Sequence, residues 1–192
     1  MTSEEITEIL RAELKPKRFK HTLGVMQTAQ EMAKIFGADE YEAQRAGLMH
    51  DNAKALSLER MREIANDAGL QISADESESA SLMHAPVGAY LAKARFGETD
   101  ENVISAIRYH TTGKPDMTPL EAIIYLADMI EPNREEFDGL NDLRELAHKD
   151  LYRALEMGLD MSTSYVLKRG QKLFTRSWQA YEWVKQYNKG RN

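Results

Sequence analysis

The chain has 192 residues and no cysteine, and its 25 lysines and arginines are outweighed by 31 aspartates and glutamates, for a formal net charge of -6. The lack of cysteine excludes disulfides, thiolate nucleophiles and cysteine-ligated metals, and the acidic balance argues against a polynucleotide-binding protein, which usually presents a basic domain. The acidic start of the chain does not fit a signal peptide, and no run approaches the roughly 18 apolar residues of a membrane span, so we expect a cytoplasmic protein.

Apolar residues recur at spacings of three and four along most of the chain, which predicts helices. Capping signals at Thr2 and Thr118 open helical segments, and no run alternates for long enough to predict a strand. We therefore predict an all-α fold, with helices in chain order at 3–14, 17–36, 40–55, 57–68, 86–96, 100–110, 119–131, 140–157 and 160–187. The last helix is expected to break near Gly170, and the polar stretches 71–80 and 132–140 are expected to be mobile connections.

The histidines are the most informative residues, because four of the five lie in apolar or helix-terminal sequence, where an imidazole needs a partner. His50 and Asp51 are adjacent, so on a helix their side chains diverge by about 100° and can bind one ion beside it. Asp128 lies in a segment that is apolar nearly all round, and it also needs a partner. A divalent cation held by His21, His50, Asp51 and Asp128 would neutralise both carboxylates, and these ligands suit iron, manganese or zinc.

The order of these residues in an all-helical chain resembles the HD-domain phosphohydrolase superfamily. Four segments, KRFKHTLGV, AGLMHDNAK, HAPVGAYLA and AIRYHTTGKPDMTPLEAIIYLADMIEPNR, together resemble its bacterial symmetrical bis(5'-nucleosyl)-tetraphosphatases. The resemblance covers essentially the whole chain and implies a single HD-domain helical bundle over 1–192, with a core of about 17–131 and helices 140–187 packed on it. It implies hydrolysis of diadenosine tetraphosphate to two ADP, and a divalent metal that is typically iron, with manganese, magnesium or zinc as alternatives. A homodimer is also expected, with a small nucleotide as ligand and no membrane or nucleic acid polymer.

The family motifs assign roles to individual residues. The metal ligands are His21, His50, Asp51 and Asp128, whereas His84 and His110 match two histidines that hold a second metal or contact substrate phosphate. The expected catalytic residues are Asp51, Lys54, His84 and His110, of which either histidine could donate a proton to the leaving group.

Positive charge for the phosphates is expected near the ligands. Arg18 lies one helical turn before His21, Lys54 lies one turn after His50, and Arg134 follows the helix that bears Asp128. In the basic stretch 168–176, the backbone at Gly170 is free to approach a phosphate, and Phe174 could stack on adenine. The expected substrate contacts are Arg18, His21, Asp51, Lys54, His84, His110, Thr111, Asp128, Arg134, Gly170, Lys172 and Thr175.

Several of these residues also have purely structural explanations. His84 could begin a helix before Pro86, His110 could end one where the helix dipole favours it, and 168–176 could be a solvated face. His148 is expected on the surface and has no assigned role. The same site would also serve a nucleotidase or a guanosine tetraphosphate hydrolase, whereas a cyclic-dinucleotide phosphodiesterase is disfavoured because the GYP-type signature is missing. A non-catalytic nucleotide sensor is the third alternative, although a sensor would not need the complete ligand set.

Overall fold

The structure is a computed structural model that describes residues 1–191, and its regular elements over that range are all α-helices. The predicted all-α class is therefore confirmed. Among the helices of the described range, none combines the length and apolar character that crossing a membrane requires. The helices are α1 Ser3–Glu13, α2 Pro16–Phe36, α3 Glu40–Met49, α4 Leu58–Asp67, α5 Ala74–Ser77, α6 Ala80–Ala94, α7 Glu101–Tyr109, α8 Pro119–Ile130, α9 Leu140–Ala147, α10 Leu151–Lys168 and α11 Thr175–Lys189.

The predicted capping signals do begin helices. The Thr2 side chain accepts a hydrogen bond from the Glu5 backbone N–H, and the Glu5 carboxylate accepts one from the Thr2 backbone N–H, which forms a capping box at α1. Thr118 and Glu121 form the same arrangement at α8. The expected break near Gly170 is also confirmed, because α10 ends at Lys168 and α11 begins only at Thr175.

The helix predicted over 40–55 is wrong in its second half. Helix α3 ends at Met49, and the next residues form tight turns in which Asn52 N donates to Met49 O at 3.1 Å and Lys54 N to Asp51 O at 2.9 Å. The Asn52 side chain donates to Gly88 O on α6 at 2.9 Å. Asparagine and aspartate compete with helical hydrogen bonding through their side chains, so Asp51 lies in a turn rather than on a helix.

Other boundaries also differ from the prediction, and the gap expected at 158–159 is absent because α10 runs unbroken from Leu151 to Lys168. Helix α6 begins at Ala80, six residues before the expected start at Pro86, because Ser79 caps it and the proline is accommodated inside the helix. The stretch 71–80, expected as a plain connection, contains the short helix α5 with its own capping box. The helix predicted over 140–157 is two helices, since Asp150 accepts a hydrogen bond from Arg153 N and starts α10 anew.

Most of the buried apolar side chains form one core, to which α2, α3, α7, α8 and α10 contribute, and α2 packs against both α3 and α8. A smaller cluster, centred on Met61 and Val87, lies between α4 and α6. Gly47 decides how closely α3 approaches α2, because a Cβ there would lie only 2.9 Å from the Met26 Cα. This close approach brings the rings of His21 and His50 to a centroid separation of 5.4 Å.

A buried ion cluster joins α5 to two other helices. The carboxylate of Glu76 lies 2.7 Å from Arg108 on α7 and 2.5 Å from Arg176 on α11, and its residue is only 2% exposed. Burial alone would raise the pKa of Glu76, but the ion pair with the Arg108 guanidinium and the hydrogen bonds from Ser73 outweigh burial and lower the pKa to about 2. The folded state therefore holds this carboxylate ionised.

We predict that Glu76→Gln lowers the free energy of unfolding at pH 7 by about 3 kcal/mol. The pKa of Glu76 in the folded protein lies below its ordinary value of 4.5. The contribution should consequently be complete above that value and be lost as the pH falls toward about 2. Urea unfolding of both proteins at several pH values measures the difference.

The exposed pair of Arg60 and Glu63 provides the control. Glu63→Gln should change stability by less than about 1 kcal/mol at any pH. A Glu76→Gln deficit that stays constant down to pH 3 would show that packing rather than charge is lost.

Candidate metal centre

The residues expected to form the centre converge from five helices. His21 lies on α2 and Asp128 in the last turn of α8, whereas His50 and Asp51 directly follow α3. His84 lies on α6, and His110 directly follows α7. Apart from Asp128, whose side chain is 25% exposed, these side chains are at least nine-tenths buried.

Asp51 is the hub of the cluster. Its Oδ2 lies 3.4 Å from His50 Nε2 and 3.9 Å from His21 Nε2, while its Oδ1 lies 3.2 Å from His84 Nε2 and 3.8 Å from His110 Nε2. Each of the four imidazoles thus turns the same ring nitrogen toward one carboxylate. Asp128 Oδ1 adds a second carboxylate, 3.0 Å from His21 Nε2.

The outer ring nitrogens explain this common orientation. His50 Nδ1 lies 2.7 Å from Gly47 O, and His110 Nδ1 lies 2.7 Å from Ile107 O. A carbonyl oxygen only accepts, so each of these nitrogens carries the proton and donates. The inward-facing Nε2 atoms of His50 and His110 therefore carry lone pairs. His84 Nδ1 also faces a carbonyl, Ala80 O at 3.3 Å, but its Nε2 lies 3.0 Å from His110 Nε2 and 3.1 Å from Lys54 Nζ.

The donor set fits a divalent cation. His21 Nε2 and His50 Nε2 are both buried without a hydrogen-bond partner among the described residues, and an orphaned polar atom of this kind is costly unless something binds it. His21, His50 and Asp51 offer ligand atoms within 4.8 Å of one another, and so do His50, His110 and Asp128. Imidazole nitrogens together with carboxylate oxygens suit iron, manganese or zinc.

Both carboxylates of the centre are held ionised. Burial would raise the pKa of Asp51, but His50 and His84 outweigh burial and hold this pKa well below its usual range. Burial is likewise outweighed at Asp128, where the adjacent His21 imidazole and the charge of His50 lower the pKa. Two ionised carboxylates at this depth require positive charge beside them.

A second group of possible ligand atoms, from Asp51, His84 and His110, lies next to a lysine. Lys54 Nζ is 3.1 Å from His84 Nε2 and 3.7 Å from Asp51 Oδ1, although Lys54 is not on the helix that the sequence predicted for it. Thr111 Oγ1 lies 3.1 Å from His110 Nε2. Burial first, and then the charges of the nearby histidines, lower the pKa of His110 to about 3, so His110 is neutral near pH 7.

Two arginines lie at the rim of the centre. Arg18 Nη1 donates to Asp51 Oδ2 at 2.8 Å, and Arg134 Nη1 lies 3.6 Å from Asp128 Oδ1. Both side chains are more than a third exposed, so they can also reach a ligand in solvent. They line a cleft of about 730 Å³ that includes His21.

The predicted contacts of the C-terminal stretch lie beside the centre. Lys172 and Phe174 line a cavity of about 480 Å³ that reaches Thr111, and Thr175 lines a neighbouring cavity of about 450 Å³. Lys172 Nζ is already paired with Asp75 at 2.6 Å. Gly170 follows the end of α10 with a φ of +64°, and its backbone N donates to Leu167 O rather than to a group of the centre.

The sequence did not identify one further residue at the centre. Glu131, directly after α8, is fully buried, and its Oε1 lies 3.1 Å from His21 Nδ1. Its position three residues after Asp128, at the end of a helix and before a proline, was the only local signal. By contrast, His148 is exposed, as expected.

The chain is similar to HD-domain proteins in sequence and in structure. A family model described as HD domain matches residues 18–133. A Bacillus subtilis protein named symmetrical bis(5'-nucleosyl)-tetraphosphatase is 41% identical over 191 residues, which cover 96% of this chain and 98% of that relative. A relative of the same name from Halalkalibacterium halodurans is 39% identical over 178 residues, which cover 91% and 92% of the two chains. A solved structure from Clostridium acetobutylicum, described as a predicted HD superfamily hydrolase involved in NAD metabolism, matches with a TM-score of 0.93 at 40% identity and covers 97% of this chain and 98% of that one.

We predict that the protein binds one divalent ion per chain. His50→Ala should weaken this binding by at least roughly 100-fold, because removing only a residue that hydrogen-bonds to a metal ligand already lowers metal affinity 10- to 100-fold. Calorimetric titration of the metal-free protein with manganese or zinc measures the metal affinity. His148→Ala removes an exposed histidine and should bind like the wild type. Equal affinity in His50→Ala and the wild type would place the ion elsewhere.

Proposed function

Because the chain belongs to the HD-domain family of symmetrical bis(5'-nucleosyl)-tetraphosphatases, we propose that it is a metal-dependent hydrolase that converts diadenosine tetraphosphate into two ADP. The observation that carries this proposal is the cluster of inward-facing imidazole nitrogens around Asp51, with cations at its rim. In the reaction, water adds to one of the two inner phosphorus atoms. The bridging oxygen between them then leaves with the other ADP.

The metal would be held by His21, His50, Asp51 and Asp128. A divalent ion there would supply charge neutralisation for the phosphate and would acidify the attacking water. We propose iron as the resident metal, in line with the family resemblance of the sequence, with manganese, magnesium and zinc as the ions to compare. Lys54 places a positive charge against His84 and Asp51, which opposes a second cation at that position. We therefore expect a single ion.

The proposed substrate contacts fall into two groups, one for the polyphosphate and one for a nucleotide half. Arg18, Arg134 and Lys54 lie around the two carboxylates and are the proposed partners of the polyphosphate oxygens, because the substrate is strongly anionic. Thr111, Lys172 and Thr175 line the adjoining cavities and are the proposed contacts of a nucleotide half. Gly170 is also a proposed substrate contact, because it lies in the same stretch of chain, 168–176, as Lys172 and Thr175.

The two further histidines differ in what they can do. His110 is neutral near pH 7 and its Nδ1–H is engaged by Ile107 O, so it offers a lone pair rather than a proton. The proposed hydrogen-bond donor to the leaving ADP oxygen is therefore His84, whose Nε2 can share a proton with the Lys54 ammonium at 3.1 Å. Asp51 orients the attacking water through the oxygen atoms that it presents to the centre.

A homodimer and a cytoplasmic location, both expected from the sequence, stay predictions. The alternatives of a nucleotidase or a guanosine tetraphosphate hydrolase are not favoured by the relatives, whose names specify the symmetrical tetraphosphatase. A non-catalytic sensor is also disfavoured, since the names of the relatives specify an enzyme.

We predict that the protein, reconstituted with ferrous iron without oxygen, converts diadenosine tetraphosphate to ADP alone. Asp51→Ala should abolish turnover, because this carboxylate contacts all four imidazoles. Ion-exchange chromatography of the nucleotides separates the products. His148→Ala serves as the matched control and should turn over normally. AMP together with ATP would contradict symmetrical cleavage, and other released products would point to one of the alternative hydrolases.

We further predict that His84→Gln lowers kcat by about 100-fold, the lower end of what a positioned proton donor contributes, since ADP is already a fair leaving group. Metal content should stay at the wild-type value, because His84 is not one of the four proposed ligands. Steady-state kinetics together with metal analysis of the same samples test this. A wild-type kcat with bound metal would remove His84 from the proton-transfer step.

A further inference from the structure

Glu131 has no part in the reaction proposed above, yet it touches one of the proposed metal ligands. Its Oε1 accepts the hydrogen bond from His21 Nδ1 at 3.1 Å, because an ionised carboxylate can only accept. We propose that Glu131 is a positioning residue that holds His21 in the tautomer with a free Nε2 and thereby strengthens metal binding. This inference rests on the metal site of the proposed function.

The carboxylate of Glu131 is fixed at both oxygens. Its Oε2 accepts from Asn133 N at 2.7 Å and from Asn133 Nδ2 at 3.0 Å, while its Oε1 faces His21. The backbone is held as well, since Arg144 Nη2 donates to Glu131 O at 3.1 Å. With the residue 0% exposed, this side chain has little freedom to leave the imidazole.

His21 differs from the other three histidines of the centre in the kind of partner it has. His50, His84 and His110 direct Nδ1 at backbone carbonyls, whereas His21 directs Nδ1 at a carboxylate. A charged acceptor makes a stronger hydrogen bond than a carbonyl and raises the basicity of the opposite ring nitrogen toward a metal. His21 should therefore be the strongest imidazole ligand of the set.

Stability alone does not explain a buried carboxylate with these partners. Its side-chain contacts in the described structure are the imidazole of His21 and the amide of Asn133, so no guanidinium or ammonium compensates its charge. Burying a charge without a full counter-charge costs free energy. The cost is offset when the imidazole binds a cation through its other nitrogen, which links the charge of Glu131 to the occupied site.

The neighbouring helix leaves room for this carboxylate. Gly24 lies one turn after His21 on α2, and a Cβ added at Gly24 would overlap Glu131 Oε2 and approach Asn133 Nδ2 to 3.1 Å. Any larger residue at this position would push the carboxylate away from its place. Gly24 and His21 on one helix, and Glu131 and Asp128 on the other, thus form a matched set.

The experiment compares Glu131→Ala, Glu131→Gln and Gly24→Ala with the wild type, and uses Glu135→Gln as the control. Glu135 is an exposed acid of the same loop that pairs with Lys17, so its substitution makes the same chemical change outside the centre. Two readouts are taken on metal-free protein: the tautomer of His21 from nitrogen-15 spectra of the histidine rings, and the affinity for zinc alone in competition with a chromophoric chelator. Neither readout uses a nucleotide.

Glu131→Ala should weaken zinc binding by roughly 10- to 100-fold and leave His21 as a mixture of tautomers. Glu131→Gln should keep the single tautomer, because its amide oxygen still accepts from Nδ1, and should lose less affinity. Gly24→Ala should move both readouts in the direction of Glu131→Ala, and it provides the test should Glu131→Ala fail to fold. Glu135→Gln should match the wild type.

The proposal is overturned if Glu131→Ala or Gly24→Ala keeps the wild-type tautomer and a zinc affinity within twofold of the wild type. A purely structural role would lower the thermal stability of the variants without a change of tautomer. Failure of the proposed function is separable, because a wild type that binds zinc but releases no ADP from diadenosine tetraphosphate leaves this inference standing. A wild type that binds no zinc would overturn this inference, whereas the proposed function is tested separately by turnover with ferrous iron.

Discussion

The structure depends on one buried charge, the carboxylate of Asp51. Only 2% of its side chain is exposed, and the free energy needed to bury an ionised carboxylate is large unless positive groups or hydrogen-bond donors surround it. The surroundings come from α2, α6 and the turns after α3 and α7, so the helices must pack in one arrangement for the charge to be compensated. Helix packing and site chemistry are consequently one constraint: displacing any of these helices would expose or isolate the same carboxylate.

Helix ends, rather than helix faces, provide most of the functional groups. His50 and His110 each follow a helix and direct Nδ1 at the carbonyl three residues earlier, which is a carbonyl that the helix itself leaves without a partner. The same hydrogen bond therefore ends the helix and selects the tautomer that turns Nε2 inward. Asp128 occupies the last turn of α8, where the helix still holds its backbone while its side chain reaches the rim. The positions at which α3, α7 and α8 end therefore determine where His50, His110 and Asp128 present their side chains to the centre.

A feature of this structure could be predicted from the sequence when the residues that determine it lie close together in the chain. The helical class and the members of the centre were predictable, because an amphipathic period and a polar residue in an apolar run are local features. Glu76 and Glu131 were not, since their partners lie 100 and 110 residues away in the chain. The end of α3 was missed for a related reason: Asn52 is drawn out of the helix by Gly88 O on a distant helix. Sequence periodicity reports the local conformational preference of a segment, whereas the positions of these three residues are set by contacts with distant parts of the chain.

The two acids of α5 form ion pairs of different kinds with distant residues. The pairs of Glu76 are buried and fix the position of the C-terminal helix, whereas the pair of Asp75 is exposed. Glu76 is buried between Arg108 and Arg176, so it ties the C-terminal helix to α7, and His110 of the centre directly follows α7. Its neighbour Asp75 pairs with Lys172, whose side chain is 73% exposed. A solvent-exposed pair contributes little to stability, so an anionic ligand can take the place of Asp75 at Lys172 at small cost. The buried pair next to it would keep the stretch in position throughout that exchange.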